Sequence, residues 1–206
     1  MPRVATKESI LTHARELFRA GGADRITMRA VAKRVGVTPM AIYRHFDNWD
    51  ELLEAVIERG HATFLTYLQR ALAEPTPAAR LARAGQEYLN FALEHPRDYA
   101  AMFTHPRVSQ AMRGKTPHWR DFATFRFLVD RLRECGDAGL LDLGDPEAAA
   151  LSTWAQVHGL VSLYVAGRLH LGERDFRALY ARSVTDLFRG FGWRGGSPPA
   201  ATVRHR

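Results

Sequence analysis

Hydrophobic residues recur at three- and four-residue intervals along nearly the whole chain. Ile10, Leu11, Ala14, Leu17 and Phe18 make one apolar stripe, with Lys7, Arg15 and Arg19 off it, the pattern of a helix that buries one face. No stretch alternates apolar and polar residues for long enough to build a sheet. The period predicts an all-α protein of about nine helices, near residues 7–20, 27–34, 38–45, 48–73, 76–94, 96–104, 117–135, 146–170 and 173–190. Punctuation agrees with the period. Thr38-Pro39, Thr76-Pro77, Thr116-Pro117 and Asp145-Pro146 each set a capping oxygen before a proline suited to a first helical turn. Gly21-Gly22, Gly36, Gly136 and Gly190 are the expected stops. The segment 105–116 is the least patterned, with room for a short extra turn or helix.

The second and third of these helices are short and joined by "VGV". Ile26 before the Thr27 cap and Val31 inside the helix form a hydrophobic staple, and Val37, Thr38 and Ile42 repeat the arrangement. Two such helices around a glycine turn make a helix-turn-helix. In the third helix Ile42 and Phe46 share the inward side, leaving Thr38, Met40, Ala41, Tyr43, Arg44 and His45 outward. Small Thr38 and Ala41 allow close approach to a groove floor, while the longer side chains reach sideways. That profile fits the major groove of DNA. Arg44 can give two parallel donors to guanine O6 and N7, and the Tyr43 hydroxyl and His45 ring can donate to phosphate.

Charge strengthens this reading by its placement. Residues 1–50 hold nine Lys or Arg against five Asp or Glu, residues 51–192 hold seventeen of each sign, and Arg194, Arg204 and Arg206 complete the net +7. The basic excess of the folded part therefore lies around the helix-turn-helix, where a polyanion would dock. The Gly- and Pro-containing tail, 193–206, is expected to be disordered. No run approaches the apolar length of a membrane span and no secretory leader pattern opens the chain, so a cytoplasmic protein is expected. The single cysteine, Cys135, reads as a packed thiol.

The stretch "ITMRAVAKRVGVTPMAIYRHFDNWDELLEAV" resembles the N-terminal DNA-binding domain of the TetR family of transcriptional regulators, over about residues 7–57. The resemblance implies a homodimer with a helix-turn-helix head at 1–47 and a helical effector-binding and dimerisation domain at 48–192. Such a protein typically represses transcription from a palindromic operator in double-stranded DNA until a small molecule binds. It also implies phosphate contacts from Thr27, Tyr43 and His45, base reading by Thr38, Met40, Ala41 and Arg44, and places Arg29 in the DNA-facing set. Trp49 stands where the family often has lysine; an indole N–H would bring one uncharged donor to phosphate in place of an ammonium.

Further along, "LSTWAQVHGLVSLYVAGRL" puts Trp154 and His158 on one helical face beside Gly159, a pattern that resembles the WHG type of TetR-like C-terminal domain. His158 can serve a bound effector or a hydrogen bond within the core. Large apolar side chains gather upstream: Phe64, Tyr67, Tyr88, Phe91, Tyr99, Met102, Phe103, Trp119, Phe122, Phe125 and Phe127. They either line a cavity for an apolar or aromatic effector or fill it. The last two helices, predicted to meet at a tight "LGE" turn, carry more apolar surface than one core needs. Leu151, Val157, Val161, Leu179 and Leu187 are the expected contacts of a homodimeric four-helix bundle. The long helix 48–73, opened by an Asn48/Glu51 capping box, is the expected link between head and effector region.

His95-Pro96-Arg97 and His105-Pro106-Arg107 read as helix boundaries, because metal-ligand spacing is absent. No serine elbow, phosphate loop or paired carboxylate supports the competing reading of a hydrolase built on His158. No catalytic residue, cofactor or metal is therefore expected. A DNA-binding protein that needs no ligand is the remaining alternative.

Overall fold

The computed structural model describes residues 6–103 and 119–196. Among these residues there are nine α-helices and no strand. They are α1 (Lys7–Gly21), α2 (Met28–Val35), α3 (Pro39–Tyr43), α4 (Trp49–Gln69), α5 (Pro77–Glu94), α6 (Pro96–Phe103), α7 (Ala123–Asp137), α8 (Pro146–Val165) and α9 (Glu173–Gly190). The segment 105–116, with its second His-Pro-Arg and the proposed start at Pro117, lies outside the described residues.

The chain divides into two compact units, 1–63 with 95–116, and 64–94 with 117–206. The boundary expected at 47/48 thus falls inside the first unit, which takes in the first part of α4 and all of α6. α4 is one continuous helix of 21 residues with its last six in the second unit, and the expected helical stretch to 73 finishes as a 3-10 turn, Arg70–Ala73.

In the first unit Ile10, Ala14 and Phe18 of α1 meet Val31 and Val35 of α2, Ile42 of α3, Phe46, and Leu52, Leu53, Val56 and Ile57 of α4. These are the stripes that the sequence pattern marks. α2 starts at the Thr27 cap, whose Oγ1 accepts from Ala30 N at 3.0 Å, with Ile26 and Val31 both buried as a staple requires. It stops at Gly36, which takes φ +82, a left-handed conformation that side-chain-bearing residues rarely adopt. α3 follows after two residues. Its predicted cap differs: the Thr38 side chain makes no cap hydrogen bond, and Pro39 alone sets the first turn. α4 opens with Asn48 Oδ1 accepting from Glu51 N at 2.9 Å, while Glu51 reaches back to the N–H of Asp47, one residue before the partner a capping box would use.

A buried carboxylate ties α6 to α1. Asp98 accepts from Arg15 Nη2 and from Arg19 Nε and Nη2, each at 3.2 Å, and Arg15 also donates to Thr63 Oγ1 at 2.7 Å. Arg97 adds a hydrogen bond to the Arg19 carbonyl. Gly60 of α4 leaves the space that Met102 of α6 occupies, because a Cβ there would stand 3.2 Å from its sulfur.

The second unit packs α5, α7, α8 and α9 around Leu81, Leu89, Phe91, Leu132, Ala150, Val161, Phe176, Tyr180 and Phe188. α5 and α8 start at caps the sequence marks: Thr76 Oγ1 accepts from Ala79 N and Asp145 Oδ1 from Glu147 N. α7 departs from expectation at both ends. It begins at Ala123, after a 3-10 turn at Trp119–Asp121, and runs through Gly136 to turn at Gly139. α8 ends at Val165, five residues early, so a segment from Ala166 to Gly172 replaces the tight turn before α9. Stacked rings of Tyr164 and Phe176, 3.9 Å apart, and the Gln156 amide on the Ser183 carbonyl at 2.8 Å hold α8 to α9. The first residues of the tail are also tied down: Arg194 N donates to Leu140 O at 3.0 Å and Asp142 N to Phe191 O at 3.0 Å. Residues 197–206 lie outside the described part.

Candidate nucleic-acid interface

α3 has only one buried residue, Ile42, and Phe46 anchors the chain just after it. Everything else on the helix is supported from below by those two side chains. Thr38, Met40, Tyr43 and Arg44 are exposed, Ala41 and His45 half-buried. Met40 at 68% and Tyr43 at 47% are among the exposed large hydrophobic residues of the chain. The helix is shorter than the pattern implies, since Arg44 caps it and His45 follows in a turn. The Arg44 side chain therefore leaves the end of the helix, one turn beyond Met40.

Exposed cations lie on the elements that precede α3 in the first unit. Arg25, Arg29 and Lys33 are exposed on the 3-10 turn Ala23–Arg25 and on α2. Arg25 and Lys33 are additions to the residues singled out from the pattern, and their only signal in the sequence is the local charge. Arg34 differs from them, its guanidinium bonding Glu16 of α1 at 3.1 Å. Thr27 Oγ1 accepts one hydrogen bond in the helix cap and keeps a hydroxyl proton to donate.

Trp49 is a correction. Its indole N–H donates to the Ile26 carbonyl at 2.7 Å, closing the start of α4 onto the entry to α2. Indole has one donor and no acceptor, so an indole bond to phosphate has no proton left to make it. The residue braces the helix-turn-helix from inside.

The residues expected around an effector are distributed over both units. In the second, Phe64, Tyr67, Tyr88 and Phe91 are buried and packed on one another, with Phe64 5.4 Å from Tyr88 and 4.9 Å from Phe91. Tyr67 donates to Glu94 Oε2 at 2.5 Å under the Arg70 guanidinium, and burial together with that carboxylate pushes its phenol pKa up. Trp154 stands 6.2 Å from Phe125 and 6.0 Å from His158, ring to ring, and Phe122 is half-buried before α7. His158 is engaged at both ring nitrogens, Nδ1 with the Tyr88 hydroxyl at 3.1 Å and Nε2 with Ser162 Oγ at 3.3 Å. Burial lowers its pKa. In the first unit Met102 and Phe103 are half-buried on α6, Phe103 meeting the His61 ring at 6.1 Å. The Trp119 side chain lies outside the described residues. Cys135 is buried as expected, and burial raises its thiol pKa to about 11, which keeps it protonated and unreactive. Among the described residues no group of His, Cys, Asp or Glu could hold a metal ion, and no helix is long and apolar enough to cross a membrane.

Two short helices set around a left-handed glycine, with a solvent-facing second helix, define a helix-turn-helix DNA-binding protein with a helical second unit. Comparison with known proteins gives the family. Residues 10–56 match the model for bacterial regulatory proteins of the tetR family, and residues 81–187 match the tetracyclin repressor-like C-terminal domain. The chain belongs to the TetR family and is a DNA-binding transcriptional regulator, a protein without enzymatic activity.

Two relatives span most of its length. A nucleoid occlusion factor, SlmA, of Marinobacter nauticus is 29% identical over 185 residues, 88% of this chain and 89% of that protein. A helix-turn-helix-type transcriptional regulator of Mycobacterium tuberculosis is 29% identical over 190 residues, 92% and 83% of the two chains. Among solved structures, a protein of unknown function from Rhodococcus sp. RHA1 superposes with a TM-score of 0.73 at 26% identity, covering 92% of this chain and 96% of that one. A tetR-family regulatory protein from Rhodococcus RHA1 shares the fold, with a TM-score of 0.62 at 21% identity over 92% and 98%.

Proposed function

We propose that the protein is a cytoplasmic repressor that binds a palindromic operator as a homodimer and is released from it by a small apolar or aromatic effector. The observation that carries the DNA half of this reading is the outward face of α3, where Thr38, Met40, Tyr43 and Arg44 are exposed over the buried Ile42 and Phe46. Arg44 takes a guanine through two parallel hydrogen bonds, Thr38 and Ala41 permit close approach, and Thr27, Tyr43 and His45 hold phosphates with Arg29 beside them. The test is selection of duplexes from a random pool followed by a binding titration. Arg44→Ala costs about 1–3 kcal/mol against the selected site and relaxes the preference at one position per half-site. Equal binding of wild type and variant to selected and scrambled duplexes sinks the assignment.

The homodimer rests on α8, a helix of 20 residues whose only charged side chain is Glu147. Leu151 is 40% exposed and Leu163 46%, and the exposed Ala155 and half-buried Gly159 complete a row at four-residue steps between them. Of the expected contacts on this helix Leu151 is exposed, while Val157 and Val161 are buried within their own chain, so Ala155 and Leu163 take their place in this proposal. Leu179 and Leu187 of α9 are half-buried and remain at its edge. Leu163→Glu is expected to shift the protein from dimer to monomer in sedimentation.

The effector half is supported by the aromatic concentration in the second unit and by family membership, with α4 as the connecting element, about 32 Å long at 1.5 Å per residue. An effector favouring the conformation with wrongly spaced recognition helices would lower operator affinity by that preference alone. A titration of operator binding with ligands that demonstrably bind decides it, no change for any of them removing this half. The likeness to nucleoid occlusion factors supports a second reading, in which DNA binding serves occlusion and not promoter control. Chromosome-wide binding sites scattered away from promoters would favour it.

A further inference from the structure

Met40 is the most exposed of the large hydrophobic side chains that the described residues leave at the surface. It is a long apolar side chain 68% exposed at the second position of α3, with the exposed Thr38 and Pro39 before it and Tyr43 and Arg44 one turn on. A thioether left in water forgoes a large part of the roughly 1.5–3 kcal/mol that burying it would yield. Arg44 one turn on, and Arg29 and Lys33 on the other helix of the helix-turn-helix, are exposed cations that favour a polyanion over an apolar protein partner. In the major groove of a duplex, each base pair offers hydrogen-bonding atoms, and the apolar group that protrudes is the C5-methyl of thymine.

From this we infer that Met40 is a thymine-methyl reader. This inference rests on the base-reading role proposed for α3 and adds a chemical requirement on the operator. Met40 and Arg44 are four apart, which sets their Cβ atoms about 6 Å from each other on a helix surface. That separation is less than two base-pair steps of roughly 3.4 Å. Each half-site therefore contains a thymine within two base pairs of the guanine taken by Arg44, its methyl covered by the Met40 side chain. The flexible thioether stem suits this contact because it can settle over the methyl without a fixed rotamer.

Replacing thymine by deoxyuridine removes the methyl and leaves every hydrogen-bonding atom of the base pair in place. The experiment titrates the wild-type protein and Met40→Ala against a duplex selected from a random pool, with thymines changed to deoxyuridine one at a time. One thymine per half-site should be sensitive, weakening wild-type binding about fourfold when changed in one half and about fifteenfold when changed in both, the value of one apolar carbon per contact. Met40→Ala should lose at least that factor on the unmodified duplex and become indifferent to the same deoxyuridine, the coupling a double-mutant cycle isolates. Arg44→Ala, which removes a different contact, should keep the deoxyuridine sensitivity. Thermal unfolding of Met40→Ala at the wild-type midpoint confirms that the fold is intact.

Two results overturn the inference and leave the base-reading role standing: no thymine in the selected duplex sensitive to loss of its methyl, or a deoxyuridine penalty that persists unchanged in Met40→Ala. A protein that enriches no duplex from the pool overturns the base-reading role itself, and the methyl contact with it.

Discussion

Each unit of this protein buries a carboxylate beneath two arginines and sets a half-buried imidazole against an aromatic ring, yet the two interiors are wired differently. In the first unit Asp98 of α6 is held by Arg15 and Arg19 of α1, 83 and 79 residues away in the chain. In the second, Glu87 is held by Arg83, one turn back on its own helix, and by Arg70 of the preceding 3-10 turn. The same chemistry does two jobs. A local pair reinforces the element it sits on, whereas the distant pair fixes α6 against the supporting helix of the DNA-reading head. The imidazoles sit in different settings: the His61 ring meets Phe103 edge to face, and His158 lies between the Tyr88 hydroxyl and Ser162.

The largest test of this contrast is Asp98→Ala. It leaves two guanidiniums facing the place of a lost carboxylate, and breaking a buried ion pair in this way costs about 3–5 kcal/mol. Arg19 is half-exposed and can turn to water, so about 3 kcal/mol is expected in denaturant unfolding. Hydrogen exchange should rise in both α1 and α6. A variant as stable as wild type would mean that the contact is decorative.

Next in size is the acid limb. Burial lowers the His61 pKa from 6.5 to about 4, so the folded state holds this ring neutral while the unfolded chain takes up a proton near pH 6.5. Its contribution is complete above pH 6.5 and is lost as pH falls from there to about 4, a span that amounts to roughly 3 kcal/mol. His61→Phe keeps the ring contact with Phe103 and should flatten the fall in stability over that window. An unchanged acid limb would place the proton uptake elsewhere. His158 shifts in the same direction from the same cause and supplies part of the residual slope.

Glu87→Ala should cost less than Asp98→Ala, about 1–2 kcal/mol, because Arg70 and Arg83 are 50% and 32% exposed and recover hydration. Increased exchange should stay within α5 and the turn before it. An equal cost for the two variants would erase the distinction between local and distant pairing.

The difference between the units also explains which parts of the molecule the sequence could reveal. α1 to α3, the Thr27 cap, the Gly36 turn and the outward face of α3 follow from period, caps and a single apolar stripe, all written within a few residues. The bounds of α9 at 173 and 190 follow for the same reason. Long-range partners leave no such trace. Nothing local signals that Asp98 meets Arg15, or that the Trp49 indole closes on a carbonyl 23 residues earlier. Gly136 and Gly139 look alike as letters, and only the second takes the positive φ beyond the end of α7. An aromatic residue that lines a cavity and one that fills it share the same pattern, which is why Phe64, Tyr88 and Phe91 were legible as a group and not as a site.

The smallest effect separates those two roles at His158. Tyr88→Phe removes one hydroxyl, and with it the 3.1 Å contact with Nδ1, and leaves the ring against Phe64. A net hydrogen bond is worth about 1 kcal/mol, and His158 retains Ser162 at 3.3 Å, so a loss of about that size or less is expected in unfolding. If the Tyr88–His158 pair only fastens α5 to α8, operator binding and its response to an effector should be unchanged at temperatures where the variant is folded. If the pair instead presents polar atoms to the effector, removing the hydroxyl should alter the effector concentration needed for release while operator affinity without effector stays the same. Measuring both quantities on one variant distinguishes a fastening from a binding role, which stability alone does not.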